Sequence, residues 1–532
     1  MSHHSHIISY GFNRGVTDTL NIPSFNSKIE LFTYLLNYST NIEINSQLVI
    51  YLNKSNKNIN IDLFGNLLHY RFYYLYPIII PCSEIIIEDK SSINDLINTR
   101  YKRILYWISS DIEKPFTIYT YIKENLPSID KRLLVDSLID DEMNNTSTTT
   151  DNTSQNIYER LSDINHSIDN KRSFNQLLKE RMFFDEELSK VQYRQLLNIP
   201  NDETYYKKLI NSWEFNAFQF SSDELIYIAY IILINHITND NDENNSISNH
   251  LLSFLFFVRD NYRIGNPFHN FRHAIDVLQS TNYFINQLNL HNDKNINSID
   301  IISLLFASLG HDIGHPGITN MYLQKNNCRF IYYYNKLSIL ENYHNTLFQN
   351  ILQPFIKNIK LNLNLNLIKD AILATDMANH SKFVEKISNE INKISNTKNN
   401  NNNNNNVKDN FTLLACLLIK CADISNVCRP IDISFKWGNS LTDEFEQISI
   451  LENTDKVENL PINVKDFNYN LLSSKLINDY PKLPNNQLFF INTFAKSFFE
   501  KISVSLPQLI FLHNTLSSNT IFWENHKEKK DS

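Results

Sequence analysis

A chain of 532 residues that carries only 8 glycines and 14 prolines has few positions at which to turn back on itself. Many-stranded sheets need such residues at every reversal, whereas long helices do without them. The second half of the sequence has the matching helical periodicity. "DELIYIAYIILINHI" from Asp223 stays apolar over about four turns, and Ser221 stands three residues before Glu224, the spacing of a capping box. "FFINTFAKSFFEKIS" from Phe489 repeats apolar residues at intervals of three and four. "IDIISLLFASL" from Ile299 is apolar on every side, as the central helix of a large bundle would be. These segments predict an all-α domain over residues 190–526.

The length leaves room for a second part. Residues 1–135 mix β-branched and aromatic runs such as "PIIIP" and "EIII"; they read as a mixed α+β region of unknown function, to which no fold is assigned. Residues 136–189, with "DDEMNNTSTTTDNTSQN" from Asp140, read as a polar linker and helical lead-in. "TNDNDENNSISN" from Thr238 reads as a polar loop, and eight consecutive asparagines at 399–406 are expected on the outside of whatever surrounds them.

Composition narrows the function classes. Hydrophobic residues at 42% and aromatics at 12% suit a folded chain. A net charge of −8 without a long Lys/Arg run gives no footprint for nucleic acid. The five cysteines, Cys82, Cys328, Cys416, Cys421 and Cys428, form no CxxC pair, which predicts free thiols in a reducing compartment, the cytosol. The opening "MSHHSHIISYGF" lacks the regions of a secretory signal, and its histidines are expected to form a loose polar end. The most membrane-like stretch, 69–87, contains His69, Arg71, Glu84 and two prolines, so it reads as a buried strand or core segment of a soluble protein without a membrane span.

Three of the 8 glycines, Gly310, Gly314 and Gly317, cluster in "GHDIGHPG" beside His311, Asp312 and His315. If the helix continued through this window, His311 and His315 would share one face and Asp312 would point about 100° away. "NPFHNFRHAIDV" puts His269 and His273 one turn apart, and "LLACLLIKCADIS" places Asp423 inside an otherwise apolar helix. Burying that carboxylate is costly unless a cation compensates it. The alternative for Asp423 is a salt bridge to Lys420 or Arg429; for His269 it is a structural contact with Asn270.

Together "FHNFRHAIDV", "GHDIGHPGITN", "YNKLSILENYH", "ILATDMANHSKF" and "KCADISNVCRP" resemble the catalytic domain of the class I 3′,5′-cyclic nucleotide phosphodiesterases, an all-helical fold in the HD-domain superfamily. The motifs keep that family's order and continue to "QLFF" at 487–490. The resemblance implies that His273, His311, Asp312 and Asp423 bind a tightly held zinc, with Asp312 bridging to a second ion, Mg²⁺ or Mn²⁺. It implies that His269 is the general acid that protonates the leaving O3′ while an activated hydroxide attacks phosphorus. His315 and Glu341 are implied to orient the water or the acid; each could equally be structural. Gln487 matches the family's purine-reading glutamine, Phe490 the aromatic that stacks on the base, and Asn426 a further pocket residue.

"NPFHNFRH", "ILATDMANH" and "DISNVCRP" are most similar to the high-affinity cGMP-specific branch, implying hydrolysis of cGMP to 5′-GMP. Because the Gln487 amide can rotate to serve either purine, cAMP or dual specificity is the alternative. An inactive nucleotide-binding scaffold would lack a ligand or the acid, and none is missing. The sequence departs from the family at Tyr343 of "LENYH", where a second histidine is usual, and between "DEFEQ" at 443–447 and Gln487, where the usual acidic and Met-Asp-Arg signals are absent. For residues 1–190, regulation, homodimer formation and simple support all stay open.

Overall fold

The computed structural model describes residues 5–12, 23–40, 47–53, 78–82, 106–107, 190–237, 245–262, 266–315, 317–325, 334, 337–381, 383–385, 404–453 and 482–527. The chain divides into two compact units, one of residues 1–197 with 323–329 and 451–464, the other of 198–322, 330–450 and 465–532.

The first unit is built on parallel strands. β1 (Ser5–Tyr10), β2 (Ser24–Phe25), β3 (Gln47–Asn53), β4 (Ile78–Cys82) and β5 (Tyr106–Trp107) pair in the order β2-β1-β3-β4-β5, with helix α1 (Lys28–Thr40) between β2 and β3 in the chain. Ile8 faces Ile50, and Ile50 faces Ile79, across the ladders. "QLVIYLN" and "IIIPC" are nearly continuous apolar runs, as strands of a parallel sheet are when both faces are covered. Leu31, Phe32 and Leu35 of α1 and Ile8, Leu48, Ile50 and Leu52 of the sheet are fully buried. The region without an assigned fold is therefore an α/β unit with the strand order of doubly wound sheets. Of the stretch 69–87, residues 78–82 are strand; the remainder, the "EIII" run and the linker at 136–189 lie outside the described residues.

The second unit is helical throughout its described residues, as expected. It contains α2 (Glu203–Ile210), α3 (Ser222–Ile237), α4 (Asn245–Asp260), α5 (Phe271–Gln287), α6 (Ser298–Gly310), α7 (Ile339–Ile359), α8 (Leu365–Leu373), α9 (Asn404–Ile424), α10 (Ile431–Asn453), α11 (Leu483–Phe490), α12 (Lys496–Ser505) and α13 (Ile510–His526). Side chains fix their starts. The capping box closes in both directions, Ser221 N donating to Glu224 Oε2 at 2.9 Å and Glu224 N to Ser221 Oγ at 3.2 Å. Asn270 Oδ1 accepts from the amides of Arg272 and His273 to start α5. α6 is buried from Ile301 to Gly310 and forms the bundle's centre. A Cβ at Gly310 would lie 2.3 Å from the ring of Phe348, so the close approach of α6 to α7 needs glycine there.

Two polar segments contribute to helices. α4 begins at Asn245 inside the segment read as a loop, whose residues 238–244 lie outside the described ones. Asn404–Asn406, the end of the asparagine tract, open α9, where a first turn tolerates such residues; residues 399–403 are not described. "FFINTFAKSFFEKIS" does not run as one regular helix, because a π-turn at Ile491–Ala495 separates α11 from α12. Phe411–Cys428 is long and apolar enough to cross a membrane, with mean hydropathy 1.7, yet 78% of it is buried in the unit. No other helix among the described residues passes that test.

The C-terminal end of α9 is pinned by Arg429. Its fully buried guanidinium donates to Asp276 Oδ1 at 3.0 Å, Gln279 Oε1 at 2.7 Å, Ser280 Oγ at 2.8 Å and the Trp213 carbonyl at 3.0 Å, and lies 4.1 Å from the Trp213 ring centre. Removing one partner of a buried ion pair strands the other charge, so Arg429→Met is expected to lower unfolding free energy by about 3–5 kcal/mol in urea denaturation. A midpoint unchanged from wild type would show that the pair contributes nothing.

Candidate functional site

Four side chains from three helix ends converge. His273 comes from the first turn of α5, His311 and Asp312 from the turn after α6, and Asp423 from the last turn of α9. One ligand atom from each lies within 4.8 Å of all the others. His273 Nε2 is 3.1 Å from Asp423 Oδ1 and 3.6 Å from Asp312 Oδ2, and His311 Nε2 is 3.1 Å and 3.4 Å from the same two carboxylates, Asp312 first. Neither cation proposed as a partner for Asp423 is bonded to it. Lys420 Nζ donates to the carbonyl of Ala374 at 2.9 Å and to those of Asp376 and Thr375, and Arg429 is held by Asp276.

The donor set fits a divalent cation. His311 gives its Nδ1–H to the Ser308 carbonyl at 2.9 Å, which leaves the Nε2 lone pair buried, without a hydrogen bond, facing two carboxylates. Burial opposes charge on His311, but Asp312 and Asp423 outweigh it and hold the imidazole well above its usual value. Burial likewise raises both aspartates, yet His311 holds Asp312, and His273 with His311 hold Asp423, well below the carboxylate range. A centre that draws protons this strongly favours positive charge, and two imidazoles with two carboxylates suit zinc or a harder divalent ion.

His269 and His315 belong to a second group with Glu444 of α10, again within 4.8 Å of one another. Glu444 is 1% exposed. Its Oε2 accepts from the amides of Phe268 and His269, both at 3.0 Å, and its Oε1 accepts a very short bond from His269 Nδ1. The other ring nitrogen, Nε2, lies 4.0 Å from Asp312 Oδ2, at the edge of the first group. Burial opposes charge on His269, but Glu444, then Asp312 and Asp423, push it up to about 9. Asn270 is its neighbour in sequence only, since the Asn270 side chain caps α5.

His315 does not share a helical face with His311. α6 stops at Gly310, and Gly314 has φ +73°, a left-handed turn that carries His315 away from the first group. Its ring stacks on that of His269, centroids 3.9 Å apart, while its Nδ1 accepts from the Gly317 amide at 3.0 Å. Asn266 Nδ2 donates to the carbonyls of both His269 and His315, tying the two loops together. Glu341 joins neither group: Asn320 Nδ2 holds its carboxylate, and burial, then Asp376, push it up to about 7.

Two residues escaped the sequence reading. Glu444 lies within "DEFEQ", an acidic stretch indistinguishable from a solvated helix face, and meets its partner 175 residues away. His344 donates Nδ1–H to the Ile313 carbonyl at 2.7 Å and brings Nε2 to 3.8 Å from Asp312 Oδ1; burial holds it down at about 4, so it is a neutral base there. Its signal was its place in "LENYH", three residues after Glu341. Tyr343, the departure from the family, is buried against Gly314.

The residues matched to nucleotide binding occupy the 3₁₀ turn Ser425–Cys428 that follows α9, and α11. Asn426 is buried and gives its Nδ2 to the Asp423 carbonyl at 3.4 Å. Gln487 is 2% exposed, and its Oε1 has no hydrogen-bond partner among the described residues. A Cβ on Gly438 of α10 would come within 2.5 Å of Gln487 Nε2, so glycine makes room for that amide. Gly438 and Glu444 are six residues apart on α10, a rise of about 9 Å, so one helix backs both Gln487 and His269. Phe490 is half-buried, its ring 5.5 Å from that of Phe494.

A family model described as 3′5′-cyclic nucleotide phosphodiesterase matches residues 268–516. The 3′,5′-cyclic-nucleotide phosphodiesterase 2 of Saccharomyces cerevisiae is 32% identical over 62% of this chain and 62% of its own. The cGMP-specific 3′,5′-cGMP phosphodiesterase 3 of Dictyostelium discoideum is 30% identical over 60% of this chain and 64% of its own. Relatives named as cAMP-specific match as well. In each case less than two thirds of the relative's length is spanned. A crystal structure of yeast caPDE2 in complex with IBMX superposes with a TM-score of 0.67 at 26% identity, covering 98% of this chain and 100% of that one. Since the matched region runs from Phe268 to Leu516 and takes in both histidine-carboxylate groups, Gln487 and Phe490, it is residues 268–516 that belong to the class I 3′,5′-cyclic nucleotide phosphodiesterase family.

Proposed function

We propose that the chain hydrolyses a 3′,5′-cyclic purine nucleotide to its 5′-monophosphate in the cytosol, with cGMP preferred. The observation that carries this reading is the convergence of His273, His311, Asp312 and Asp423 beside the His269–Glu444 pair. Zinc held by the four residues, with Mg²⁺ or Mn²⁺ at a second position reached through Asp312, would supply acidification of a water and neutralisation of phosphoryl charge. The chain's own groups do the rest. Glu444 holds the Nδ1 proton of His269, His315 stacks against the ring to fix its plane, and Nε2 then holds a proton that it delivers to the departing O3′. His344 Nε2 faces the other oxygen of Asp312, where it would accept a hydrogen bond from a water, and Glu341, held by Asn320, would orient that water.

Gln487 reads the purine edge with an amide that both donates and accepts, and Phe490 stacks on the base, a contact worth roughly 1–3 kcal/mol. Because no described residue fixes Gln487 Oε1, either purine can be met by turning the amide. The preference for cGMP rests on "NPFHNFRH", "ILATDMANH" and "DISNVCRP" and on the Dictyostelium relative; the cAMP-specific relatives favour the alternative.

Purified protein given Mg²⁺ is expected to hydrolyse cGMP with kcat/KM about tenfold or more above that for cAMP. A ratio below one would replace cGMP by cAMP as the substrate, and no turnover of either would end the enzymatic reading. Activity is expected to vanish on dialysis against a strong chelator and to return with zinc and Mg²⁺ together.

A further inference from the structure

The helix that carries Gln487 and Phe490 is not regular. Between α11 and α12 the chain makes one π-turn, in which the Lys496 amide donates to the carbonyl of Ile491, five residues back rather than four. A π-turn inserts one residue, and one residue is about 100° of helical rotation. Whatever holds that extra residue in place therefore sets which way Gln487 and Phe490 face relative to the rest of the helix.

One side chain from a distant part of the chain reaches this turn. His380, 4% exposed, follows the short 3₁₀ turn Met377–Asn379, and its Nε2–H donates to the carbonyl of Phe494 at 3.0 Å. Its ring meets that of Phe494 edge-on, centroids 5.8 Å apart, and packs on Phe498 at 5.4 Å. Phe494 in turn lies against Phe490. Burial, then Lys420, hold the imidazole down at about 4, so it is neutral and carries one proton to give.

The base on which His380 stands is itself anchored. Asp376 accepts from the Ala378 amide at 2.8 Å, from Ser338 Oγ at 2.6 Å and from Asn379 Nδ2 at 2.9 Å. Lys420, one turn before Asp423 on α9, holds the carbonyls of Ala374, Thr375 and Asp376. A continuous set of contacts thus runs from the Asp423 helix through the buried Lys420, residues 374–380 and the half-buried Phe494 to Phe490.

We propose that His380 is a positioning residue for nucleotide recognition, its hydrogen bond to the Phe494 carbonyl fixing the π-turn that orients Gln487 and Phe490 toward the base. This rests on the reading of the chain as a cyclic nucleotide phosphodiesterase. His380 touches neither the reacting phosphate nor the four-residue group, so its loss should weaken binding and leave the chemical step.

The test compares wild type, His380→Phe and His380→Gln by steady-state kinetics on cGMP and cAMP with Mg²⁺, alongside urea denaturation. His380→Phe keeps the buried ring and drops the donor; it is expected to raise KM roughly tenfold with kcat within about threefold of wild type, and to shift the cGMP/cAMP ratio. His380→Gln restores a donor and is expected to bring KM back to within about threefold. Unchanged KM in His380→Phe, or KM and kcat falling together without rescue by His380→Gln, would overturn the role. Absence of turnover in the wild type is a different result: it removes the enzymatic reading itself.

Discussion

Replacing Asp423 with alanine is expected to lower kcat on the order of 10³-fold or more while the protein remains folded. Asp423 is the carboxylate closest to His273, at 3.1 Å, and also faces His311 at 3.4 Å. Without it, both imidazoles turn toward Asp312 alone, and the charge balance that suits a divalent ion is lost. Zinc content of the purified variant is expected to drop along with turnover, because affinity depends on ligand number as well as geometry. Asp423→Asn, which keeps the volume and loses the charge, should behave alike if charge is the decisive property. The urea midpoint is expected to fall, because His273 and His311 lose a buried carboxylate partner, while Lys420 and Arg429 keep the hydrogen bonds they make elsewhere. Wild-type turnover in Asp423→Ala would mean that the four side chains meet for a reason other than catalysis.

What the sequence revealed of this site follows from how locally each signal is written. Asp423 stood out because it breaks an apolar helical pattern with a group that is costly to bury alone, and His311 with Asp312 because they end one; grouping them with His273 as one ligand set rested on the family resemblance. Their common centre was not derivable from spacing. Whether His315 shares the face of His311 depended on the helix continuing, which periodicity does not record, and it is the positive φ of Gly314 that sends it to His269. The π-turn at Ile491–Ala495 is equally invisible, since apolar residues at three and four persist through it. In the first unit, runs such as "QLVIYLN" lack the alternation that marks a strand, and only their pairing separates buried parallel strands from helix segments. Glu444 is the clearest loss: nothing in "DEFEQ" marks it as an acid that turns inward.

That acid supports a second large effect. His269→Ala is expected to reduce kcat by about 10²–10⁴-fold, the usual contribution of a general acid. Glu444→Gln should cost on the order of 10²-fold in kcat with KM nearly unchanged. The amide can keep accepting from the Phe268 and His269 amides through its oxygen, so the ring stays in place. Its NH₂ then faces His269 Nδ1, where it donates rather than accepts, and the ring keeps a single proton as neutral imidazole, a far weaker acid than imidazolium. The sign for pH follows from the same contact. Glu444 raises the proton affinity of His269, so its removal moves the alkaline limb of the rate profile to lower pH. If Glu444 acts only through His269, the double variant should be no slower than His269→Ala alone, because a group that holds the acid has nothing left to hold. Losses that multiply across the two substitutions would instead give Glu444 a contact with substrate of its own.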